Sequence, residues 1–248
     1  MNYDWNWAFF FQPEPNTGIL VWQLLLEGLW NTLKISALAW LLALGIGSVV
    51  GTIRTTQSKA LIFAGNCYVE LFRNIPLLVQ MFLWFFVLPA LVPAVRVIEQ
   101  NFGYDTYQFL SVVICLGTFT AARIAEQVRS GINSLPRGQR YASQALGLTT
   151  FQMYRYVLLP MAFRIIIPPL TSESMNLIKN STIALTIGYA ELTFRGAKEI
   201  AEYNFRFFEI YLVLTVIYII IAMSANRVMA WVERKVAVPG FIAQGSAK

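Results

Sequence analysis

The stretch GINSLPRGQRYASQALGLTTFQMYRYVLLP, residues 131–160, decides how the chain must fold. It carries Arg137, Arg140 and Arg155 and no acidic residue, and it lies between two strongly apolar segments. So polar a segment cannot sit in hydrocarbon and marks one aqueous face of a membrane protein. Pro136 and Gly138 punctuate it. Residues 141–146 predict a turn or two of helix, Gly147 ends that helix, and Thr149 is placed to N-cap a second short one. Short helices joined by a glycine suit a rigid knob that docks into a groove on another protein. A structureless linker of this length is uncommon.

Composition agrees with a membrane protein. Of 248 residues, 57% are hydrophobic and only 13% charged, so long uncharged runs are unavoidable. The mean hydropathy is +0.56. A chain of this length accommodates five or six spans of about 20 residues, with little left for a soluble domain. The net charge of +6 reflects basic loops on one side of a membrane rather than binding to nucleic acid. There is no histidine, which removes His-based acid/base catalysis, a Ser-His-Asp triad and His metal ligation together. Cys67 and Cys115 are far apart and form no CxxC pair, so no redox or metal motif arises; Cys115 reads as a small buried hydrophobe. The first residues include Asp4 and no basic residue, unlike a signal peptide, so the first span is expected to be retained.

Working outward, the expected fold class is an all-α integral membrane protein with five transmembrane helices. Residues 1–21, rich in Trp and Phe, predict a periplasmic or interfacial segment lying on the membrane surface. Residues 22–235 form the five-helix domain, and 236–248 a cytoplasmic tail. The first span includes the uncharged run 35–53 and starts near Trp22, with Glu27 and Lys34 at its outer end. Gly47 and Gly51 form a GxxxG that allows close helix approach, either within the subunit or against a second one. The second span runs over 75–95, with Pro76 in its first turn and Pro89 and Pro93 marking its exit. A short outer loop over 96–107 leads to a third span, 107–122. This helix is expected to continue into water, because Arg123, Glu126 and Arg129 recur at spacing three on one face. Glu126 between two arginines reads as a structural ion pair. Pro168 and Pro169 are expected to break or kink a helix.

The fourth span, 169–187, is the most polar. Glu173, Asn176, Lys179, Asn180 and Ile183 fall on one side of it. Facing lipid, Lys179 alone would cost about 2.5–3.5 kcal/mol, so this face must look into protein or a water-filled path. Glu173, Asn176, Lys179 and Asn180 are therefore candidates for a translocation path, or for bonding between helices. Residues 188–206 carry mixed charge and predict an outer loop with short helices. The fifth span is 207–229.

Charge fixes an expected orientation. With five spans and the N-terminus outside, the segments 54–74, 123–164 and 227–248 lie in the cytoplasm and hold thirteen of the 19 basic residues. The opening stretch then faces the cytoplasm.

Residues Gly138, Gln139, Ala142, Ala145, Leu146, Gly147, Leu148, Leu158, Leu159 and Pro160 resemble the cytoplasmic loop of the permease subunits of ABC importers. Tyr141-Ala142-Ser143 stands where that family has Glu-Ala-Ala. Residues 72–78 (FRNIPLL), 121–129 and 175–181 resemble segments of the polar amino-acid permeases of this family, in matching order. Asp4-Trp5-Asn6-Trp7 and 70–74 resemble its branch for acidic amino acids. The resemblance implies a bacterial inner-membrane, multi-pass permease whose loop 131–160 carries a coupling helix seated on an ATPase. It implies coupling roles for Gly138, Gln139, Tyr141, Ala142, Ala145, Gly147 and Pro160. It also implies a cytoplasmic ABC ATPase dimer, a second permease or a second copy, and a periplasmic amino-acid-binding protein as partners.

No GxxxxGK[ST] occurs, so the chain is expected to bind no cofactor itself and to use ATP hydrolysed by a separate subunit. The expected function is alternating-access import of polar, acidic amino acids, without enzymatic activity of its own. An ATP-independent amino-acid channel or secondary carrier is the alternative. A membrane-embedded enzyme finds thin catalytic material in Glu173 and Lys179.

Overall fold

The apolar run that begins at Val21 folds as one helix of 33 residues, α1 (Val21–Ile53). The computed structural model describes residues 3–236 and is helical nearly throughout; the expected tail from residue 237 onward lies outside the described residues. After α1 come α2 (Lys59–Asn74) and the apolar α3 (Leu77–Leu91), which contains a π-helical turn at Leu83–Val87. α4 (Pro93–Phe102) and α5 (Tyr104–Asn133) follow. The polar stretch supplies α6 (Arg137–Ala145) and α7 (Thr150–Met153). α8 (Leu159–Asn180) runs on as a 3-10 helix over Ser181–Ile187. The π-type helix α9 (Phe194–Ala201) and α10 (Phe207–Val236) close the order.

By length and hydropathy α1, α5 and α10 can each cross a membrane, and α2 with α3 makes a fourth candidate if the pair is one span. α8 does not reach that threshold. Arg164, Glu173, Asn176, Lys179 and Asn180 lower its hydropathy.

Several local expectations are corrected. Residues 96–107 are not a loop: α4 occupies most of them, and only Gly103, at φ +84°, separates it from α5. Proline at the first position of α4 needs no N–H partner there, so Pro93 opens a helix as well as closing α3. Of the break or kink expected at Pro168 and Pro169, the break is absent: α8 passes through both. They leave only the carbonyls of Arg164 and Ile165 without their helical donors, a loss one turn can absorb.

Contacts divide the chain into two units, one of Met1–Leu41, Ile75–Gly117 and Asn176–Met223, the other of Leu42–Asn74, Thr118–Met175 and Ser224–Lys248. The first unit has two cores. One gathers Ile35, Met81, Phe85, Tyr107, Leu116, Leu177 and Ile187, with the Phe85 and Tyr107 rings stacked at 5.1 Å. Cys115 belongs to it as an ordinary buried side chain. The other gathers Phe9, Phe10, Val21, Leu24, Leu192, Ile200 and Ile210. The N-terminal aromatic segment is thus not simply laid on a surface. Phe9 and Phe10 are core residues, while Trp5, Trp7 and Phe11 are exposed. A short 3-10 turn over Trp7–Phe11 produces this division.

The second unit is built on glycine contacts. A Cβ at Gly47 would lie 2.7 Å from the Ile124 side chain and 2.8 Å from the Ala121 carbonyl. At Gly51 the corresponding distances are 2.6 Å to Val128 and 2.7 Å to the Ala125 carbonyl. The GxxxG of α1 therefore packs on α5 of the same chain. Gly131 repeats the device, its absent Cβ 2.5 Å from Ile166 of α8.

Candidate functional site

The polar stretch folds as an anchored knob. α6 ends in a Schellman motif: the Leu148 N–H donates to the Ser143 carbonyl (3.1 Å) and the Gly147 N–H to the Gln144 carbonyl (2.9 Å). This closure needs a left-handed residue, and Gly147 supplies it at φ +73°. Thr149 then caps α7 in a reciprocal box. Its hydroxyl accepts from the Gln152 N–H (3.3 Å) and its own N–H donates to Gln152 Oε1 (2.9 Å). A bend with both ends hydrogen-bonded is a fixed angle rather than a swivel.

Buried residues fasten the knob to the rest of its unit. Leu135, Met153, Tyr154 and Leu158 are buried. The Tyr154 hydroxyl donates to the Thr55 carbonyl at 2.7 Å, just past the end of α1. No local pattern announces this bond, since its partners are 99 residues apart. Large apolar side chains face outward among polar ones: Tyr141 is 65% exposed, Leu146 80% and Phe151 73%, and Arg137, Gln144 and Arg155 are exposed too. Gly138, Ala142, Ala145 and Pro160 are exposed and Gln139 is half-buried. Gln139, Ala142, Leu146 and Pro160 line one concavity of about 480 Å³. Of the expected coupling residues, the structure thus brings Gln139, Ala142 and Pro160 to one hollow. Gly138, Tyr141, Ala145 and Gly147 are outside its lining.

The polar helix is less uniform than its sequence suggests. Glu173 is buried and paired: Arg123 Nε donates to its Oε2 (2.8 Å) and Arg123 Nη2 to its Oε1 (3.1 Å). Arg123 therefore does not serve Glu126 as the spacing on α5 suggests. Glu126 is instead held by Arg54 (2.7 Å), with Arg73 at 3.6 Å and Arg129 at 4.0 Å. Lys179 is exposed, and among the described residues no carboxylate pairs with it. It lines a cavity of about 540 Å³ in the first unit with Thr182, Tyr211, Thr215 and Tyr218. Asn176 and Asn180 are half-buried and do not line that cavity. Lys34 lies elsewhere in the same unit, on a concavity of about 660 Å³ lined also by Glu27, Asn31, Asp105 and Arg195.

One carboxylate in the first unit escaped the sequence reading, which placed it in a mixed-charge outer loop. Glu191 is fully buried and caps the start of α9. Its Oε1 accepts from the Phe194 N–H (2.7 Å) and its Oε2 from the Thr193 N–H (2.9 Å) and the Tyr218 hydroxyl (3.2 Å). The Leu192 N–H donates to Thr32 Oγ1 (3.0 Å), and Asn31 Nδ2 donates to the Ala190 carbonyl (2.8 Å). Burial pushes the Glu191 carboxyl up to about 7, and the backbone donors at Thr193 and Phe194 only partly oppose this. The signal available in sequence was the Glu191-Leu192-Thr193 run just ahead of a helix, an acid in N-cap position.

The described residues form a helical chain with a fixed polar knob and a polar, lysine-bearing helix, and the family comparison gives the class to which it belongs. Residues 43–238 match the family described as binding-protein-dependent transport system inner membrane component, and the chain belongs to that family. It is 46% identical over 244 residues to the glutamate/aspartate import permease protein GltJ of Escherichia coli (strain K12), covering 97% of this chain and 98% of that one. It is 32% identical over 235 residues to a probable amino-acid ABC transporter permease protein, PatM, of Vibrio harveyi, covering 95% of this chain and 97% of that one. The crystal structure of an amino acid ABC transporter with histidines superposes with a TM-score of 0.71 at 30% identity, covering 86% of this chain and 94% of that chain. The chain is accordingly a permease component, not an enzyme.

Proposed function

We propose that this chain is one permease subunit of an ATP-driven importer of acidic amino acids, glutamate and aspartate. The observation that carries this reading is the 46% identity, over nearly the whole of both chains, to a glutamate/aspartate permease. In this reading the chain crosses the bacterial inner membrane five times. The spans are α1, α3, α5, the later part of α8 with its 3-10 extension, and α10, and the N-terminus is outside. The N-terminal segment 1–21 faces the periplasm, the tail from 236 the cytoplasm, and the knob 131–160 the cytoplasm.

An ATPase dimer seats on the knob. Gly138, Gln139, Ala142, Ala145 and Pro160 form the contact, and Gly147 sets its angle. Tyr141, which stands where the resemblance to the family loop implies a glutamate, makes the contact apolar, in keeping with its exposure and that of Leu146. The fixed bend transmits closure of the ATPases to the helices on either side, α5 and α8, and so alternates access to the substrate site. A second, related permease completes the pore, and a periplasmic binding protein delivers the amino acid.

The polar helix favours an acidic substrate on charge. Glu173 is neutralised by Arg123, so it does not cancel Lys179. Lys179, flanked by Asn176 and Asn180, is left to meet a ligand of net charge −1, with Lys34 or the second permease adding further positive charge. The test is uptake of labelled glutamate by the complex reconstituted in proteoliposomes with an ATPase and binding protein. Uptake is expected to require ATP, to stop with vanadate, and to be competed by aspartate but not by arginine. Uptake that survives vanadate and ATP depletion would instead establish a channel or secondary carrier.

A further inference from the structure

Three arginines of the second unit converge on a single carboxylate. Arg54 is the fixed member: its side chain is 4% exposed, its Nη2 donates to Glu126 Oε1 (2.7 Å) and its Nε to Asn66 Oδ1 (2.8 Å). Gly65 makes room for it, since a Cβ there would fall 2.5 Å from Arg54 Cγ. Arg54 Nη1 is buried without a hydrogen-bond partner. The other two are open. Arg73 and Arg129 have side chains 54% and 43% exposed and stand only 3.6 and 4.0 Å from Glu126. Both distances exceed a hydrogen bond, so most of their donors remain available.

Together with Glu70 and Asn74 these groups line a polar cavity of about 420 Å³. Three guanidinium groups face two carboxylates, which leaves one positive charge unbalanced. The shortage is one of acceptors: Asn66 and Glu126 engage Nε and Nη2 of Arg54 but not its Nη1, and Glu126 is beyond hydrogen-bond distance of Arg73 and Arg129. The vacancy therefore suits a singly charged oxyanion with two free oxygens, which forked guanidinium donors grip from two sides. Phosphate and phosphodiester groups have that form. The same helix, α2, exposes Leu71 next to its charged last turn and Phe63 about 15 Å back from Arg73 along its axis. A ligand that is a phosphodiester at one end and hydrocarbon at the other satisfies both surfaces.

We propose that the cavity between Arg54, Arg73 and Arg129 binds the phosphate of an anionic phospholipid headgroup. It is separate from the coupling knob and from the polar face of α8, and it does not depend on the identity of the transported substrate. The lipid clamps α2 to α5 at the membrane surface.

The full-length protein, with whatever subunits co-purify, is examined by native mass spectrometry in detergent micelles doped with equal amounts of phosphatidylglycerol and phosphatidylcholine. The wild type is expected to retain phosphatidylglycerol over phosphatidylcholine by about tenfold, because both carry the phosphodiester but the choline cation is repelled by the unbalanced positive charge of the cavity. R73Q/R129Q is expected to lose that preference, and R227Q/R234Q, which removes the same charge elsewhere, to keep it. Both replaced residues are half-exposed; should the double variant not fold, R129Q alone gives the same reading. Preference for phosphatidylglycerol persisting in R73Q/R129Q, or lost equally in R227Q/R234Q, overturns the proposal. In a second arm, millimolar inorganic phosphate is added to lipid-depleted protein and the thermal midpoint is followed. A phosphate shift in the wild type but not in R73Q/R129Q, with no lipid preference, overturns the lipid and assigns the cavity to free phosphate. No response to either probe overturns the site altogether.

Discussion

Arg123 on α5 holds Glu173 on α8 through two hydrogen bonds of 2.8 and 3.1 Å, across 50 residues of sequence. The pair is lopsided, with the carboxylate buried and the guanidinium half in solvent. Removing the acid frees a solvated arginine, whereas removing the arginine strands a buried charge. Arg123→Ala should therefore destabilise more than Glu173→Gln, by about 1–2 kcal/mol after allowance for the exposed partner. Thermal unfolding of the two single variants and the double variant checks both the order and the coupling.

The same pairing separates the two charged residues of α8 in transport. Lys179→Met should raise the apparent KM for glutamate at least tenfold, about 1.4 kcal/mol. Glu173→Gln should leave KM within a few-fold of wild type. Uptake kinetics in proteoliposomes decide, and an unchanged KM in Lys179→Met would make that lysine structural.

At the knob, Gly147 is the position where backbone and not space is limiting, because nothing lies within 4 Å of its would-be Cβ. Gly147→Asn, which tolerates positive φ, should transport nearly as wild type. Gly147→Val should cost about 1–2 kcal/mol locally and abolish stimulation of the ATPase while membrane insertion stays normal. Gly147→Asp, which puts a charge at an apolar contact, should also abolish transport. Normal uptake in Gly147→Val would remove Gly147 from the coupling role.

Gly51 and Gly45 form a matched pair for packing. A Cβ at Gly51 meets Val128 at 2.6 Å, but one at Gly45 meets nothing within 4 Å. Gly51→Ala should destabilise by about 1–3 kcal/mol and Gly45→Ala should be neutral or slightly stabilising. Thermal midpoints in detergent compare them.

Glu191 gives a pH dependence of definite sign. Its carboxyl is raised by burial to about 7, above the usual 4.5, so the folded protein holds a proton that the unfolded chain has released. The stability this contributes is complete below about pH 4.5 and is lost as pH rises towards 7. The thermal midpoint should fall across that window, and Glu191→Gln should flatten the fall while keeping the Tyr218 contact. An equal slope in both proteins would assign the pH dependence to other groups.

Short-range chemistry was legible in sequence. Gly147 and Thr149 declared the turn between α6 and α7 because both act within five residues of themselves. Helical period put Glu173, Asn176, Lys179 and Asn180 on one side of α8, but the fold divides them, with Glu173 buried against Arg123 and Lys179 exposed. Partners were not legible. Spacing on α5 offered Glu126 to Arg123 and Arg129, yet Arg54, 72 residues upstream, holds it more tightly, and Arg123 turns to Glu173. Local spacing ranks neighbours on one helix but says nothing of a second helix that brings a better donor. Phe9 and Phe10 were misplaced for the same reason: hydrophobicity marked them for an apolar setting, and only the fold distinguishes core from lipid. Pro168 and Pro169 could not decide between a break and a continuous helix, since proline removes donors without forbidding a helix whose neighbouring turns remain bonded.

The unequal covering of the long helices has a consequence for how the sequence can drift. Within its most apolar stretch α5 is 72% buried, while α10 is 22% buried. Most side chains in that stretch of α5 are answerable to a neighbour, and Gly47 and Gly51 press directly on its backbone. Exchanges along α5 must come in compensating pairs. On α10 most positions of that stretch meet no neighbour within this chain, so aliphatic exchanges there cause no clash inside the subunit. Two helices of equal length are thus expected to tolerate exchange to different degrees, α5 little and α10 widely.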